Sequence, residues 1–460
     1  MSIKTKYKLK NYKKGSRYLI YKSLNKILIK KAYTDLAIQE LTSNNSDISE
    51  NDISFINENV YGIVRNKLKI DHIWSQFVTN EIKKEEIKNL LRLGTYQLIF
   101  LKGVKDHASI FETVELAKKL FGFKIANFIN AVLRKIQNQS GIKNLEKIEI
   151  KNRLENVKIN QSFPGWILRY WEKSYEIERV EEFCLSLNKI PRITLRVNTL
   201  KTNREKLIDL FKKENVRLDK TEFSPSGVIL IDRANPAFLP YFKDGYFSVQ
   251  DEAAQLITHL LCPRPDEKIL DACSAPGGKS THIAELMNNE GEIVSCDYNE
   301  SRLNLVRINA KRLSVNNLKT FKADLTSAVL EQKYPDYFDK ILLDAPCSGL
   351  GTIRRNPDLK WNREESDIKQ LSDIQLKILN NISKTLKTNG IIVYSVCTIS
   401  EEENEKVIYN FLENNKNFRI EKLSYNNYLK SFIFDDNFFI SYPDLFDMDG
   451  FFAAKLKKIN

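Results

Sequence analysis

The stretch that decides the fold of this chain runs from Asp344 to Trp361 and reads D-A-P-C-S-G-L-G-T-I-R-R-N-P-D-L-K-W. An apolar run, F-D-K-I-L-L, leads into it, and a second apolar run, G-I-I-V-Y-S-V, leads to Cys397. Short apolar runs of this kind are typical of buried strands. Because an open α/β sheet binds ligands outside the carboxyl ends of its parallel strands, we expect the thiols of Cys347 and Cys397 to meet over one substrate.

The chain around this stretch alternates strands and helices, which predicts a doubly wound, mostly parallel sheet. The run K-I-L-D-A predicts one strand and leads into C-S-A-P-G-G-K-S, whose glycines would let backbone N–H groups approach a ligand at the start of a helix. This turn lacks both the G-x-G-x-x-G pattern and the G-x-x-x-x-G-K-[ST] phosphate loop. We therefore predict a cofactor turn whose ligand is not a nucleoside triphosphate.

Aspartates end the two strands that follow this turn. Asp297 closes E-I-V-S-C-D, about 20 residues after the glycines, a spacing at which a carboxylate binds ribose hydroxyls. The alternative for Asp297 is a helix cap, although Asn299 could cap that helix instead. Asp324 follows K-T-F-K-A and is placed to accept a hydrogen bond from an adenine amine, unless it is only a turn residue.

The first part of the chain has the apolar period of helices and few glycines or prolines, which predicts an α-helical bundle. Ile56, Val60 and Ile63 illustrate the pattern, because they fall on one helix face. A polar connector follows, and P-R-I-T-L-R-V-N-T then begins a small α+β region. We predict a helical domain, a linker, an α+β subdomain and an α/β domain, with the bounds 1–140, 141–160, 161–244 and 245–460.

Composition narrows the class of protein. The chain of 460 residues carries a formal charge of +13, which favours a polyanionic partner such as RNA or DNA. Its 6 cysteines contain no C-x-x-C pair, which argues against a zinc site or a disulfide framework. No apolar run is long enough to span a bilayer, and the first residues lack the apolar core of an export signal. We expect a soluble, cytoplasmic monomer that holds no metal and does not associate with membranes.

Four motifs together resemble those of the S-adenosylmethionine-dependent RNA cytosine-5 methyltransferases: Q-D-E-A-A-Q, D-A-C-S-A-P-G-G-K, D-A-P-C-S-G and S-V-C-T-I-S-E-E-E-N-E. In the helical part, L-R-L-G-T-Y-Q-L-I-F-L and N-F-I-N-A-V-L-R-K resemble the NusB family of RNA-binding domains. With the R-R-N-P-D-L-K-W extension, the whole chain resembles the RsmB/Sun type, which methylates a cytosine of 16S ribosomal RNA. The resemblance implies a NusB-like bundle, a small RNA-facing subdomain and a Rossmann-like class I methyltransferase domain.

The resemblance also implies roles at the site. Cys397 would add to C6 of the cytosine, Cys347 would remove the C5 proton, and Asp344 would stabilise charge at N3 of the base. S-adenosylmethionine would be bound by the turn and by the aspartates, namely Cys273, Ser274, Ala275, Pro276, Gly277, Gly278, Lys279, Asp297, Asp324 and Asp344. Ser274 departs from the alanine that is common in the family, but a hydroxyl changes little in a turn that binds through its backbone. The acidic S-E-E-E-N-E is expected to begin a helix without a catalytic role.

Four cations are predicted to contact RNA. Arg354, Arg355 and Lys360 lie in one loop with Trp361, a mixture suited to holding phosphates and stacking near a base that has left its stack. A solvated run of charge is the alternative for this loop. Arg196, on a strand of the α+β subdomain, is the fourth, and simple packing is its alternative. The expected partner is 16S ribosomal RNA or an early small-subunit particle, without an obligate protein partner.

Other functions remain open from the sequence. A transfer-RNA cytosine-5 methyltransferase of the same superfamily would carry the same catalytic motifs. A non-enzymatic NusB-like RNA-binding factor would explain the helical part, but not the two cysteines and the cofactor turn. A DNA cytosine methyltransferase would use Cys347 as its nucleophile and would leave the setting of Cys397 unexplained.

Overall fold

The computed structural model describes residues 15–43, 48–139, 148–232, 234–423 and 428–459. The chain forms two compact units. Unit 1 comprises Met1–Asn188 together with Arg355–Glu365, and unit 2 comprises Lys189–Arg354 together with Ser366–Asn460. The R-R-N-P-D-L-K-W segment is therefore divided between the units after its first arginine.

The described part of unit 1 is helical. The helices that precede the first strand are α1 (Ser16–Leu28), α2 (Thr34–Ser43), α3 (Glu50–Arg65), α4 (Lys67–Ser75), α5 (Glu85–Ile99), α6 (Asp106–Phe121), α7 (Phe123–Gln137), α8 (Arg153–Asn160), α9 (Gly165–Trp171) and α10 (Ile177–Asn188). Within the described ranges, no helix has the length and apolarity required to cross a bilayer.

Helix α3 shows how the sequence builds this bundle. The Ser49 hydroxyl caps the helix by accepting a hydrogen bond from the N–H of Asp52 at 3.1 Å. Ile56, Val60 and Ile63 then follow at the spacing of one helix face, and all three are fully buried. The predicted α-helical bundle is confirmed.

Unit 2 contains two sheets and the helices that cover them. Its strands are β1 (Ile193–Val197), β2 (Leu218–Lys220), β3 (Gly227–Leu230), β4 (Phe247–Val249), β5 (Lys268–Asp271), β6 (Glu292–Asp297), β7 (Leu318–Lys322), β8 (Phe338–Asp344), β9 (Leu386–Val396), β10 (Phe418–Ile420), β11 (Ile433–Phe434), β12 (Phe438–Ser441) and β13 (Phe451–Lys458). The helices that follow α10 are α11 (Arg204–Lys213), α12 (Glu252–Leu261), α13 (Gly278–Leu286), α14 (Glu300–Leu313), α15 (Val329–Lys333), α16 (Leu359–Asn362), α17 (Glu365–Ser383) and α18 (Glu405–Asn414), of which α16 belongs to unit 1.

The smaller sheet is antiparallel, with the order β2-β3-β1-β4. The larger sheet has the order β11-β12-β13-β9-β8-β5-β6-β7, and β10 pairs with β13. Strands β5 to β9 pair in parallel, whereas β13 is antiparallel to β9. The predicted doubly wound sheet is confirmed, and the sheet is mixed, because β5 to β9 are parallel whereas β10 to β13 pair in antiparallel fashion.

The order of the larger sheet reverses between β5 and β8, because β6 and β7 continue on one side and β9 on the other. The loops after the two strands diverge at such a switch point and leave a crevice at the carboxyl ends. The central strands are covered on both faces, since neighbouring residues such as Leu342 and Leu343 are both fully buried. The crevice therefore opens where β5 and β8 end.

The structure differs from the predicted domain boundaries. The predicted linker 141–160 contains α8, while its residues 141–147 lie outside the described residues. Asn152 caps α8 by accepting a hydrogen bond from the N–H of Glu155 at 2.9 Å. Only Val157 of this helix is buried, which explains why the apolar period was too weak to indicate it. Helices α9 and α10 fall in the predicted α+β subdomain but belong to unit 1.

Candidate active site

The thiols of Cys347 and Cys397 are in contact, with their Sγ atoms 3.3 Å apart. Cys347 lies in the loop after β8, and Cys397 directly follows β9. The two strands are parallel neighbours, and Asp344 at the end of β8 pairs with Ser395 near the end of β9. Both loops therefore leave the sheet at one edge, which brings together the two cysteines that the sequence pattern placed at strand ends.

The surroundings of the Cys347 thiol act on its pKa. The contact with the Cys397 sulfur raises the pKa of the Cys347 thiol well above its ordinary value, and burial adds to the effect. The charge of Glu403 acts in the same direction. These causes favour the protonated form of the Cys347 thiol.

Asp344 is held by two donors, one at the start of α13 and one on the neighbouring strand β9. The Lys279 ammonium donates to Oδ2 at 2.6 Å, and the Ser395 hydroxyl donates to Oδ1 at 3.1 Å. Burial alone would lower the pKa of Lys279, but the Asp344 carboxylate outweighs burial and leaves that pKa raised. Lys279 therefore stays positively charged and links the turn after β5 to the end of β8.

The turn from Cys273 to Lys279 connects β5 to α13 and is fixed mainly by its backbone. The N–H of Ser274 donates to the carbonyl of Cys296 at 2.8 Å, and the N–H of Gly277 donates to the carbonyl of Ser274 at 2.7 Å. The Ser274 hydroxyl also donates to Cys296, at 3.0 Å, so the residue that departs from the family pattern stabilises the turn. Ala275 is buried within the turn and Pro276 follows it.

Two glycines lie at the start of α13, and the second of them, Gly278, leaves space there. Gly277 has a φ of +100°, which favours glycine. A Cβ built on Gly278 would have one described heavy atom within 4 Å, the Nε2 of Gln250 at 3.8 Å. The first backbone N–H groups of a helix lack partners within the helix. This open start can therefore donate to the polar groups of a ligand.

Asp324 makes the turn contacts that were its alternative. The helix cap that was the alternative for Asp297 is instead made by Asn299, which accepts a hydrogen bond from the N–H of Arg302 at 3.2 Å. Asp297 accepts a hydrogen bond from the N–H of Asn299 at 2.9 Å. Asp324 accepts from the N–H and the hydroxyl of Thr326 at 2.9 and 2.7 Å, and these bonds lower its pKa. An ionised carboxylate has about four acceptor positions. Both aspartates therefore retain capacity to bind a ligand in addition to these turns.

Asp271, the last residue of β5, belongs to the same edge and was not singled out from the sequence. Its carboxyl is fully buried, and burial raises its pKa to about 7. The Ser280 hydroxyl donates to Oδ2 at 2.5 Å, whereas the buried Oδ1 has no hydrogen-bond partner in the described part of the chain. The sequence did contain a signal for Asp271: in K-I-L-D-A an acidic residue ends a buried strand, directly before a glycine-containing turn.

The arginines predicted to contact RNA require correction. Arg196 is fully buried and pairs with Glu285 of α13, with Nη2 and Oε1 2.8 Å apart. Arg354 is buried in the same way and pairs with Asp449 at 2.8 Å and Asp447 at 3.0 Å. Their guanidinium groups are used inside unit 2, so the prediction that they contact RNA is wrong.

Lys360 and Trp361 are also used inside the protein, in unit 1. The Lys360 ammonium is buried and donates to the carbonyls of Arg65 and Ser162 at 2.9 and 3.0 Å and to Oδ1 of Asn188 at 2.9 Å. Burial lowers the pKa of Lys360 well below its ordinary value. The predicted RNA contact of Lys360 is therefore wrong.

The Trp361 indole donates to the carbonyl of Val64 at 2.8 Å, and the Lys67 ammonium lies 4.4 Å from its ring. This packing leaves no support for the predicted stacking of Trp361 on a base. Arg355 is half-buried, and its contact with RNA stays a prediction.

Comparisons with known proteins agree with this architecture. The family model described as 16S rRNA methyltransferase RsmB/F matches residues 258–457. The NusB family model matches residues 14–138, and a ferredoxin-like domain of RsmF/B-like methyltransferases matches residues 163–235. The matched families follow the same order along the chain as the helical bundle, the small sheet and the large sheet.

Individual relatives match nearly the whole chain. A probable ribosomal RNA small subunit methyltransferase B of Bacillus subtilis is 35% identical over 452 residues, which cover 97% of this chain and 99% of that protein. The crystal structure of PH0851 has a TM-score of 0.80 at 27% identity and covers 96% of this chain and 98% of its own. NSun6 from Pyrococcus horikoshii, crystallised with SFG, has a TM-score of 0.58 at 26% identity and covers 65% and 99%. The sequence motifs, the fold and these matches agree, and the chain belongs to the RsmB/F family of 16S rRNA methyltransferases.

Proposed function

We propose that this protein methylates C5 of a cytosine in 16S ribosomal RNA, with Cys397 as the nucleophile and Cys347 as the base that releases the product. The observation that supports the proposal is the 3.3 Å separation of the two sulfurs at adjacent strand ends. One thiol would suffice to form a covalent adduct with a base. A second thiol in contact with the first provides a group for breaking that adduct down.

The reaction needs a nucleophile because C5 of cytosine is too electron-poor to accept a methyl group unaided. Addition of the Cys397 thiolate to C6 moves an electron pair onto C5. We assign Asp344 and Lys279 to the base: the carboxylate would accept a hydrogen bond from the amino group, and the ammonium would counter the charge that develops at N3. Their hydrogen bond of 2.6 Å would hold both groups in place during addition.

The residues around the crevice fit S-adenosylmethionine. The cofactor would supply an electrophilic methyl group for C5. The open start of α13 suits polar groups, and Asp297, Asp324 and Asp344 provide acceptors for ribose hydroxyls, an adenine amine and an ammonium group. Crystallisation of the relative NSun6 with SFG, together with the family match, supports this assignment.

Release of the product breaks the covalent bond between C6 and the Cys397 sulfur. The Cys347 thiol would first give its own proton to water. Its thiolate then takes the proton from C5, the C–H electron pair re-forms the C5=C6 double bond, and the C6–S bond returns its electron pair to Cys397. The contact with the Cys397 sulfur, burial and the charge of Glu403 all raise the pKa of Cys347. Formation of the C6–S bond would remove the first of these causes.

The substrate assignment rests on the family and on the printed names of the relatives. An enzyme that acts on ribosomal RNA would work in the cytoplasm, as a monomer or on an early small-subunit particle. The test is nucleoside analysis of 16S ribosomal RNA and transfer RNA after incubation with the protein and S-adenosylmethionine. We expect 5-methylcytidine in the 16S RNA alone. Methylation restricted to transfer RNA, or on a position other than C5, would overturn the proposal.

A further inference from the structure

Glu403, in the acidic motif after Cys397, is fully buried. The sequence indicated only a helix start here, but α18 begins at Glu405 and Glu403 lies before it. Its carboxylate accepts hydrogen bonds from the backbone N–H of Ser348 at 2.8 Å, from the Ser348 hydroxyl and from Nε2 of Gln375 at 3.0 Å. A buried carboxylate is costly unless it is satisfied in this way. Its contacts therefore show which part of the fold it organises.

These contacts surround Cys347. Ser348 is the residue after Cys347, and Glu403 binds both its N–H and its hydroxyl. Gln375, which donates to Glu403, also donates to the carbonyl of Pro346, the residue before Cys347, at 2.9 Å. The chain is therefore fixed on both sides of this cysteine by one buried carboxylate and its amide partner.

The connection to Cys397 is indirect. The Ser348 hydroxyl lies 2.8 Å from the hydroxyl of Thr398, the residue after Cys397. Because Ser348 donates its proton to Glu403, Thr398 is the donor in this pair. Cys397 also directly follows the buried strand β9, which holds it independently of Glu403. Loss of Glu403 should therefore disturb Cys347 more than Cys397.

We propose that Glu403 is a positioning residue for product release, which holds the Cys347 sulfur where it can take the C5 proton. This inference rests on the proposed function. In release, the proton passes to Cys347, its bonding electrons form C5=C6, and the C6–S electrons return to Cys397. A mobile Cys347 loop would slow this step, whereas addition of Cys397 to C6 would continue.

The chain offers matched variants. Glu401 lies in the same acidic motif, but its side chain is 47% exposed and it pairs with Lys406 at 3.6 Å, so Glu401→Ala is the control. Glu403→Gln keeps a carbonyl oxygen for the Ser348 N–H and offers an amide to the Ser348 hydroxyl, so it should preserve the loop without the charge. Glu403→Ala removes every contact.

The experiment measures two rates with 16S ribosomal RNA and labelled S-adenosylmethionine: formation and decay of the protein–RNA adduct, both resolved by quenching and denaturing electrophoresis. For Glu403→Ala we expect decay to slow about tenfold or more, with formation changed less than about threefold. Glu401→Ala should behave like the wild type. Glu403→Gln keeps the loop contacts, so its decay rate should be closer to that of the wild type than to that of Glu403→Ala. A folding defect would lower the amplitude of both phases and leave their rates unchanged.

Equal slowing of both rates, or no change in either, would overturn the positioning role. If Glu403→Ala does not fold, the same two rates are measured for Ser348→Ala, which removes one hydroxyl of the network, and an unchanged decay rate would overturn the proposal. Failure of the proposed function gives a different result, because neither the wild type nor Cys347→Ala would then form an adduct with the RNA.

Discussion

Lys279 donates a hydrogen bond of 2.6 Å to Asp344, and this pair connects the turn after β5 with the end of β8 across the switch point of the sheet. The side chains are 11% and 31% exposed, so water screens their charges only in part. The relationship joins a residue of the proposed cofactor turn to a residue of the proposed base site. Substitution of Lys279 therefore tests whether the cofactor turn and the base site depend on each other.

Lys279→Met should lower kcat about 100-fold, because the variant removes a preorganised positive charge near the cytosine. Steady-state methylation of 16S ribosomal RNA measures the effect. Lys319→Met is the control, since Lys319 is 73% exposed and pairs with Glu292 at the surface. An unchanged kcat in Lys279→Met would exclude a role for this ammonium in the reaction.

Asp271 predicts a pH dependence of stability. Its pKa is raised from 3.8 to about 7 by burial, so the folded state holds a proton over a range in which the unfolded state has lost it. The free energy of unfolding should therefore fall as the pH rises between these values, by about 4 kcal/mol at most.

Asp271→Asn cannot ionise and should lack this dependence, while its amide oxygen can still accept from Ser280. Urea unfolding of both proteins between pH 4 and pH 8 measures the difference. The free energy of unfolding of Asp271→Asn, relative to that of the wild type, should increase with pH across this range. Parallel pH profiles would contradict the raised pKa.

Lys360 should act on stability and not on RNA affinity. Lys360→Met leaves the carbonyls of Arg65 and Ser162 and the amide oxygen of Asn188 without their donor, which should cost about 2–4 kcal/mol. Chemical unfolding measures the loss, and Lys369→Met, at a lysine that is 77% exposed, should change stability by less than about 0.5 kcal/mol. If Lys360→Met is as stable as the wild type but binds RNA more weakly, Lys360 does contact RNA, as the sequence predicted.

The buried pair of Arg196 and Glu285 should show strong coupling. Arg196→Met leaves a buried carboxylate without its main partner and should destabilise the protein by about 3–5 kcal/mol. The double variant Arg196→Met/Glu285→Leu also lacks the Glu285 carboxylate, so part of the lost stability should be recovered. A double-mutant cycle in urea measures the coupling, and strictly additive effects would show that the pair contributes no interaction.

The sequence predicted the parts of the fold that depend on local pattern. Apolar runs located β8 and β9, and strand ends located Cys347, Cys397 and Asp344, because parallel strands bring their carboxyl ends to one edge. The glycines of the cofactor turn were recognisable for the same reason, since their spacing and position before a helix are local features.

The buried polar contacts were not predictable in this way. Glu403 binds Ser348 across 55 residues, Arg196 binds Glu285 across 89, and Lys360 binds Ser162 across 198. No periodicity encodes such pairs, so the sequence pattern predicts RNA contacts for Arg196 and Lys360 and a helix start for Glu403 instead. The sequence located the reactive atoms, whereas the groups that hold them became visible only in the fold.

The roles of the two thiols can be separated on a denaturing gel. Cys347→Ala and Cys397→Ala are each incubated with 16S ribosomal RNA and labelled S-adenosylmethionine, and labelled protein–RNA adducts are resolved from free RNA. Cys347→Ala should accumulate a labelled adduct because it cannot remove the C5 proton, and Cys397→Ala should form none. An adduct in Cys397→Ala and none in Cys347→Ala would contradict the assignment and make Cys347 the nucleophile.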